Sequence, residues 1–122
     1  MPVRRALIVD DSEASRLLVQ QALDREGYST VAARDGAEAI QILKEDDQYD
    51  VIVLDLVMPE IDGYGVIEHL RNGNGFPRCL QKILIVTATP GLIEPERLPD
   101  PVCEVLPKPF STDVLIQRLT IK

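Results

Sequence analysis

No apolar run in this chain approaches the ~20 residues that a membrane-spanning helix requires, so membrane insertion is not expected. Basic residues are outnumbered: Lys and Arg total 13 against 20 Asp and Glu, for a formal net charge of −7. No basic stripe can be drawn, which argues against direct nucleic-acid binding. Metal cations and basic protein surfaces are the more natural companions of such a surface. Cysteine is scarce. Cys79 and Cys103 make neither a disulfide framework nor a zinc site, and two reduced thiols are expected. There is no internal repeat, no low-complexity tract, and no Gly-rich loop after a strand to cradle a nucleotide phosphate. The N-terminal Met1-Pro2-Val3-Arg4-Arg5 carries two arginines, but the apolar run behind it is too short for a signal peptide and ends in aspartates. A cytoplasmic location is expected.

What is present is a strict alternation of short apolar runs and helical patterns. Val51-Ile52-Val53-Leu54 leads into Asp55, then a Pro-bearing loop, then Gly63. A continuous apolar run closed by turn residues reads as a strand buried on both faces, the kind found in parallel sheets. Ala6-Leu7-Ile8-Val9, Ser29 to Ala33, Ile83 to Val86 and Cys103 to Leu106 read as four further strands.

Between the strands, Ala14, Leu17, Leu18 and Ala22 recur at helical spacing. Ser12 stands as N-cap and Gly27 sits where the helix should end. Asp35-Gly36-Ala37-Glu38 has capping-box spacing ahead of a helix with Ala39, Ile40 and Leu43 inward. Tyr64 to Leu70 forms a third helix, stopped by Asn72-Gly73-Asn74-Gly75. Ser111 caps a last helix with Val114, Leu115 and Leu119 inward. The expected fold is α/β, a doubly wound parallel sheet flanked by helices.

One stretch breaks the pattern. Pro90, Pro95, Pro99 and Pro101 fall between Thr89 and Glu104, and proline inside a helix costs ~3 kcal/mol. The helix expected between the fourth and fifth strands is therefore short, irregular or absent, at most a turn near Leu92 to Leu98.

In an open parallel sheet, ligands sit beyond the carboxyl ends of the strands. Those ends carry Asp10 and Asp11, Asp55, Thr87 and Lys108. Singly, each has a plain reading: helix capping for Asp10 and Asp11, a loop start for Asp55, a β-branched strand end for Thr87, a solvated charge for Lys108. Together they are three carboxylates, one hydroxyl and one ammonium on a single edge. Clustered carboxylates raise one another's pKa, and a hard divalent cation such as Mg²⁺ removes the conflict. A carboxylate beside such an ion can attack phosphorus, with the ammonium and hydroxyl stabilising the transferred oxygens.

These residues, with Met58-Pro59-Glu60-Ile61-Asp62-Gly63 after Asp55, Ala88 after Thr87, and Pro109-Phe110 after Lys108, bring the chain to a known family. It resembles the receiver domains of two-component response regulators over essentially its whole length, 1–122 as one domain. The resemblance implies a flavodoxin-like five-stranded sheet in the order 2-1-3-4-5. It implies that Asp55 is the phosphoacceptor, served by a sensor histidine kinase or a histidine phosphotransfer protein. Asp10, Asp11, Asp55 and the backbone carbonyl of Val57 would hold Mg²⁺, for which Mn²⁺ can substitute. Thr87 and Lys108 would contact the phosphoryl group, and the Lys108–Pro109 peptide would be cis. Such a domain is not an enzyme toward outside substrates. It catalyses its own phosphorylation and dephosphorylation, and switches a downstream protein partner or an attached output domain.

Two departures from the family stand out. The position three residues before Lys108, where family members carry a Tyr or Phe that turns inward on phosphorylation, is Val105. The proline-rich stretch replaces the usual fourth helix, on the same side of the fold. Intact phosphorylation chemistry with unconventional output is expected. Val57 and Thr89 occupy positions that tune the lifetime of the phosphorylated form in the family.

Three other functions fit the residues less well. A Mg²⁺-dependent phosphatase with an aspartyl nucleophile would want a second carboxylate where Val57 stands. A flavin or nucleotide binder would not place Asp10-Asp11 in its first loop. A pseudo-receiver used only for docking would not need the complete acidic site. His69 reads as a surface histidine, Met58 and Tyr64 as packing, Asp62 and Gly63 as residues that shape the loop. Nothing after the last helix reads as an output domain, so the chain is expected to be a single-domain regulator or a fragment of a larger one.

Overall fold

The structure, a computed structural model, describes residues 3–58, 62–73, 76–98 and 103–120. Pro59, Glu60 and Ile61, Asn74 and Gly75, Pro99 and Pro101, and the thiol of Cys103 lie outside the described residues.

Five strands, β1 (Arg5–Val9), β2 (Ser29–Ala33), β3 (Val51–Asp55), β4 (Lys82–Thr87) and β5 (Cys103–Pro107), alternate with four helices. These are α1 (Glu13–Arg25), α2 (Gly36–Glu45), α3 (Gly63–Asn72) and α4 (Thr112–Thr120). All strand pairs are parallel, and the order across the sheet is β2-β1-β3-β4-β5. Both the α/β class and the strand order match the expectation.

The alternation of side chains along each strand explains why the central strands are apolar throughout. Leu7, Val9, Ile52, Leu54, Ile83 and Ile85 face α2 and α3, where Ala39, Leu43, Val66, Ile67 and Leu70 cover them. Ala6, Ile8, Val51, Val53, Leu84 and Val86 face the opposite way, onto Val19, Ala22 and Leu23 of α1 and Leu115 and Leu119 of α4. Each fully buried aliphatic side chain contributes about 1.5–3 kcal/mol, so a sheet covered on both faces is the main source of stability.

Helix α1 differs from expectation in its inward face. Of the expected Ala14, Leu17, Leu18 and Ala22, only Ala22 is buried. Leu17 and Leu18 are 52% and 45% exposed, and Val19 and Leu23 join Ala22 in the core contact. The caps are as expected. Ser12 Oγ accepts from the Ser15 N–H, and Asp35 Oδ1 accepts from the Glu38 N–H. Glu38 in turn accepts from the Arg34 N–H, one residue before the cap.

Gly27, at φ +90°, ends α1. The Tyr28 N–H reaches the Leu23 carbonyl and the Gly27 N–H reaches the Asp24 carbonyl. This paired pattern requires the left-handed residue that glycine supplies cheaply.

Between β4 and β5 there is no α-helix among the described residues. Two 3₁₀ turns, Pro90–Leu92 and Pro95–Arg97, stand there, each opened by a proline. Proline is tolerated at a first helical position because the N–H it lacks would have had no partner.

At the amino ends of the strands, Arg5 closes the sheet. Its N–H donates to Asp50 Oδ2 (2.7 Å) and its guanidinium to Asp46 Oδ2 (2.8 Å) and the Gln48 carbonyl (2.9 Å). The same guanidinium lies 4.4 Å from the centre of the Tyr49 ring. Beside it Cys79 carries a free thiol, in contact with the Tyr49 carbonyl.

Candidate functional site

The register brings the site together. Val9 pairs with Leu54, and Asp55 pairs with Val86. One step past the Val9–Leu54 pair, β1 yields Asp10 and β3 yields Asp55. Thr87 pairs with Pro107, so Lys108 follows directly beyond the last rung. The Lys108 N–H donates to the Thr87 carbonyl at 2.7 Å, and the Lys108–Pro109 peptide is cis, as expected.

Asp10 and Asp55 are 2% and 6% exposed, and Thr87 is 1% exposed. Three buried polar groups at the end of a sheet need partners. Asp10 Oδ1 accepts from the Ser12 N–H (2.9 Å) and Oδ2 from Lys108 Nζ (3.0 Å). Asp55 Oδ1 accepts from the Val57 N–H (3.1 Å), and its Oδ2 lies 3.4 Å from Lys108 Nζ. One ammonium thus bridges two buried carboxylates.

Burial pushes the Asp55 carboxyl above its ordinary value, against the opposing pull of the Val57 N–H and Lys108, with the neighbouring Asp10 charge adding to the rise. For Lys108 burial acts downward, but bonding and attraction to Asp10 and Asp55 outweigh it, and its pKa is raised. The ammonium is therefore held charged where it faces the carboxylates.

Asp11 is exposed at the rim. Ligand oxygens of Asp10, Asp11 and Asp55 all lie within 4.8 Å of one another. Carboxylate oxygens alone, partly facing solvent, form a donor set suited to a hard divalent cation and not to a soft one. This acidic cluster could hold a metal ion.

Thr87 Oγ1 accepts from the Thr89 N–H at 3.1 Å and lies 3.4 Å from Thr89 Oγ1. The Val57 side chain is 65% exposed beside the carboxylates. Asp10, Asp11, Asp55, Val57, Thr87 and Lys108 all stand where expected, on one edge. His69 lies apart from them on α3, as expected, half-buried in a cleft shared with Asp46 and Asp47.

Two contacts escaped sequence reasoning. Arg16, one helical turn past the Ser12 cap, donates to the Asp10 carbonyl at 2.9 Å and so anchors the acidic loop. Its spacing from Ser12 was the available signal. Tyr64 is buried as expected, but its hydroxyl also accepts from the Glu94 N–H at 2.8 Å. Nothing local in the sequence marks that contact.

A family profile described as "Response regulator receiver domain" matches residues 6–120. Among curated proteins, the chain is 38% identical over 121 residues to response regulator MprA of Mycolicibacterium vanbaalenii, covering 98% of this chain and 49% of that one. The chain thus spans about half the length of the curated relatives it matches. Among solved structures, chemotaxis protein CheY4 of Vibrio cholerae is 28% identical with a TM-score of 0.79, over 97% of each chain. The response regulator TrrA of Thermotoga maritima, solved in complex with Mg²⁺-BeF, is 29% identical with a TM-score of 0.75, over 95% of this chain and 96% of that one.

Proposed function

The chain belongs to the response regulator receiver domain family, and from that premise we propose that Asp55 accepts a phosphoryl group from a phosphohistidine while Asp10, Asp11, Asp55 and the Val57 carbonyl hold Mg²⁺. The observation that carries this reading is the juxtaposition of Asp55 with both Asp10 and Lys108 at the end of the sheet. A bound Mg²⁺ would supply positive charge to the oxygens of the transferred group.

The chain's own residues do the rest. Asp55 is the nucleophile, through a carboxylate oxygen. Its Oδ1 is oriented by the Val57 N–H, leaving Oδ2, now opposite Lys108, as the oxygen to be phosphorylated. Lys108 then turns its charge to the phosphoryl oxygens. Thr87, whose hydroxyl can donate one hydrogen bond while accepting others, binds a further phosphoryl oxygen. Arg16 and the Ser12 N–H keep Asp10 in place during the exchange.

The donor is a histidine kinase or a histidine phosphotransfer protein. The receiver catalyses only its own phosphorylation and dephosphorylation, and its phosphorylated state alters binding to a downstream protein or an attached output domain. The same reading places the chain in the cytoplasm, in keeping with the free Cys79 thiol. Likeness to TrrA, solved in complex with Mg²⁺-BeF, supports the choice of metal.

Intact mass after incubation with Mg²⁺ and acetyl phosphate tests the reading. A gain of one phosphoryl group is expected, absent from Asp55→Asn and from metal-free protein. A gain that survives in Asp55→Asn would move the acceptor elsewhere.

A further inference from the structure

The segment after β4 is poorly buried. From Ala88 to Leu98 only Ile93, Arg97 and Leu98 are even half-covered, and Leu92 is 76% exposed. A segment with so few buried apolar contacts opens at low cost. Its attachments to the rest of the domain can be named. At its start, the Thr89 N–H is bonded to Thr87 Oγ1. Further along, Ile93 and Leu98 rest against the core over α3, and the Glu94 N–H is bonded to the Tyr64 hydroxyl. Arg97 stacks 4.1 Å from the centre of the Tyr64 ring and bonds Glu68 of α3 (2.7 Å) and Glu94 (3.3 Å). Tyr64 meets the segment through both its hydroxyl and its ring. A cleft of about 180 Å³ lies under the segment, lined in part by Leu56, Met58, Tyr64, Thr87, Thr89 and Leu92.

We infer that Tyr64 is the positioning residue for Thr87, acting through the 89–98 segment, and that its hydroxyl carries a coupling that Val105 cannot supply. The inference rests on the reading of Asp55 as phosphoacceptor. In the resting chain the Tyr64 hydroxyl holds Glu94, the segment stays seated on α3, and Thr89 keeps its N–H on the Thr87 hydroxyl. When Thr87 turns to a phosphoryl oxygen, the Thr89 N–H loses the acceptor that sets the start of the segment. The segment then shifts over the cleft, and the Glu94–Tyr64 bond is the next polar attachment that must yield. Because the two events share one equilibrium, weakening the Tyr64 bond favours the state in which Thr87 engages the phosphoryl group. Val105 packs against the same side of the core as Ile93 and Leu98, but as a small aliphatic group it has nothing to rotate.

The test uses the whole chain with Mg²⁺, with and without beryllium fluoride, comparing wild type, Tyr64→Phe and Val105→Ala. Amide exchange at Glu94 is followed by NMR, with the Val57 amide reporting occupancy at Asp55. In wild type, beryllium fluoride is expected to speed Glu94 exchange several-fold. Tyr64→Phe, which keeps the ring and removes the hydroxyl, should show fast Glu94 exchange without the ligand. It should also bind beryllium fluoride about two- to tenfold more tightly, the scale of one hydrogen bond. Val105→Ala should leave both readouts near wild type. A purely structural tyrosine would change melting temperature and leave beryllium fluoride affinity untouched.

The inference is overturned if Glu94 exchange is unchanged or slower while the Val57 amide reports full occupancy, or if Tyr64→Phe binds no tighter. If Val57 shows no response and Asp55 gains no phosphoryl mass, the phosphoacceptor reading itself fails and this inference with it.

Discussion

Gly63, the first residue of α3, lies so close to the end of β3 that a Cβ on it would come within 2.6 Å of the Asp55 carbonyl oxygen and 2.9 Å of Leu56 Cα. Its N–H donates to the Leu56 carbonyl at 3.1 Å. Both near atoms are backbone and cannot swing aside. Gly63→Ala must therefore push α3 away from the strand that presents Asp55. A loss of about 1–3 kcal/mol is expected, read as a lower urea midpoint with an unchanged slope. Phosphoryl uptake from acetyl phosphate should slow in the variant that still folds.

Asp55 is a charge the fold holds at a cost. Its carboxyl is raised above the ordinary 3.8, chiefly by burial. Between the unfolded and folded values the native chain binds more protons, so stability falls as pH rises through that interval, and the full cost is present above the folded value. Asp55→Asn should therefore raise metal-free stability at pH 7 by on the order of 1 kcal/mol, read as a higher melting temperature. That advantage should shrink as pH falls through the Asp55 titration. A thermal melt series from pH 7 down to pH 4 checks it, and equal stability of the two proteins at pH 7 would contradict it.

The two aspartates of the first loop should separate metal binding from folding. Asp11 is exposed, whereas Asp10 is buried and bonded to Lys108. Mg²⁺ at a hundred times its dissociation constant stabilises a single-site protein by about 2.7 kcal/mol. Asp11→Asn should lose most of that increment and keep the metal-free melting temperature. Asp10→Asn should lower both, because it removes the charge facing Lys108. Paired melts with and without Mg²⁺ read this directly.

Glu104 of β5 joins two elements through its two oxygens, one to Lys82 Nζ at 2.7 Å and the other to Arg118 Nη1 of α4 at 2.6 Å. The Lys82 and Arg118 hydrogen bonds hold its carboxyl below the ordinary 4.5. A depressed carboxyl contributes stability that is present above the unfolded value and lost as pH falls through the folded one. Glu104→Gln should cost about 1 kcal/mol at neutral pH, discounted for partial exposure of the group, and the difference from wild type should close in acid.

The acidic edge was legible because each of its members follows an apolar run, and a parallel sheet must align the carboxyl ends of such runs. The run ending in Asp10-Asp11 and the run ending in Asp55 needed only the fold class to meet. The facing of α1 was not legible in the same way. Its sequence carries two overlapping apolar stripes that share Ala22, one through Ala14, Leu17 and Leu18 and one through Val19 and Leu23, and both fit a helical period. The angle at which the chain leaves the Ser12 cap decides between them, and hydropathy does not report that angle. The prolines after β4 did announce the missing helix, and Pro90 and Pro95 each open one of the turns that replace it. The bond between Tyr64 and Glu94 spans 30 residues and that between Lys108 and Asp10 spans 98. The second pair follows once the strand ends are aligned; the first follows from tertiary packing alone, and neither Tyr64 nor Glu94 signals its partner in the sequence.

The Arg5 closure at the amino ends of the strands gives the molecule two unlike poles. At one pole the Arg5 guanidinium is satisfied by Asp46 and the Tyr49 ring, and its backbone N–H by Asp50. At the other, carboxylates crowd together around one ammonium. Of the acidic-pole changes argued above, Asp55→Asn removes the chemistry and is expected to stabilise the fold. A lineage descended from this domain could therefore rewrite its acidic pole, losing or altering phosphotransfer, while the fold is inherited intact from the opposite end.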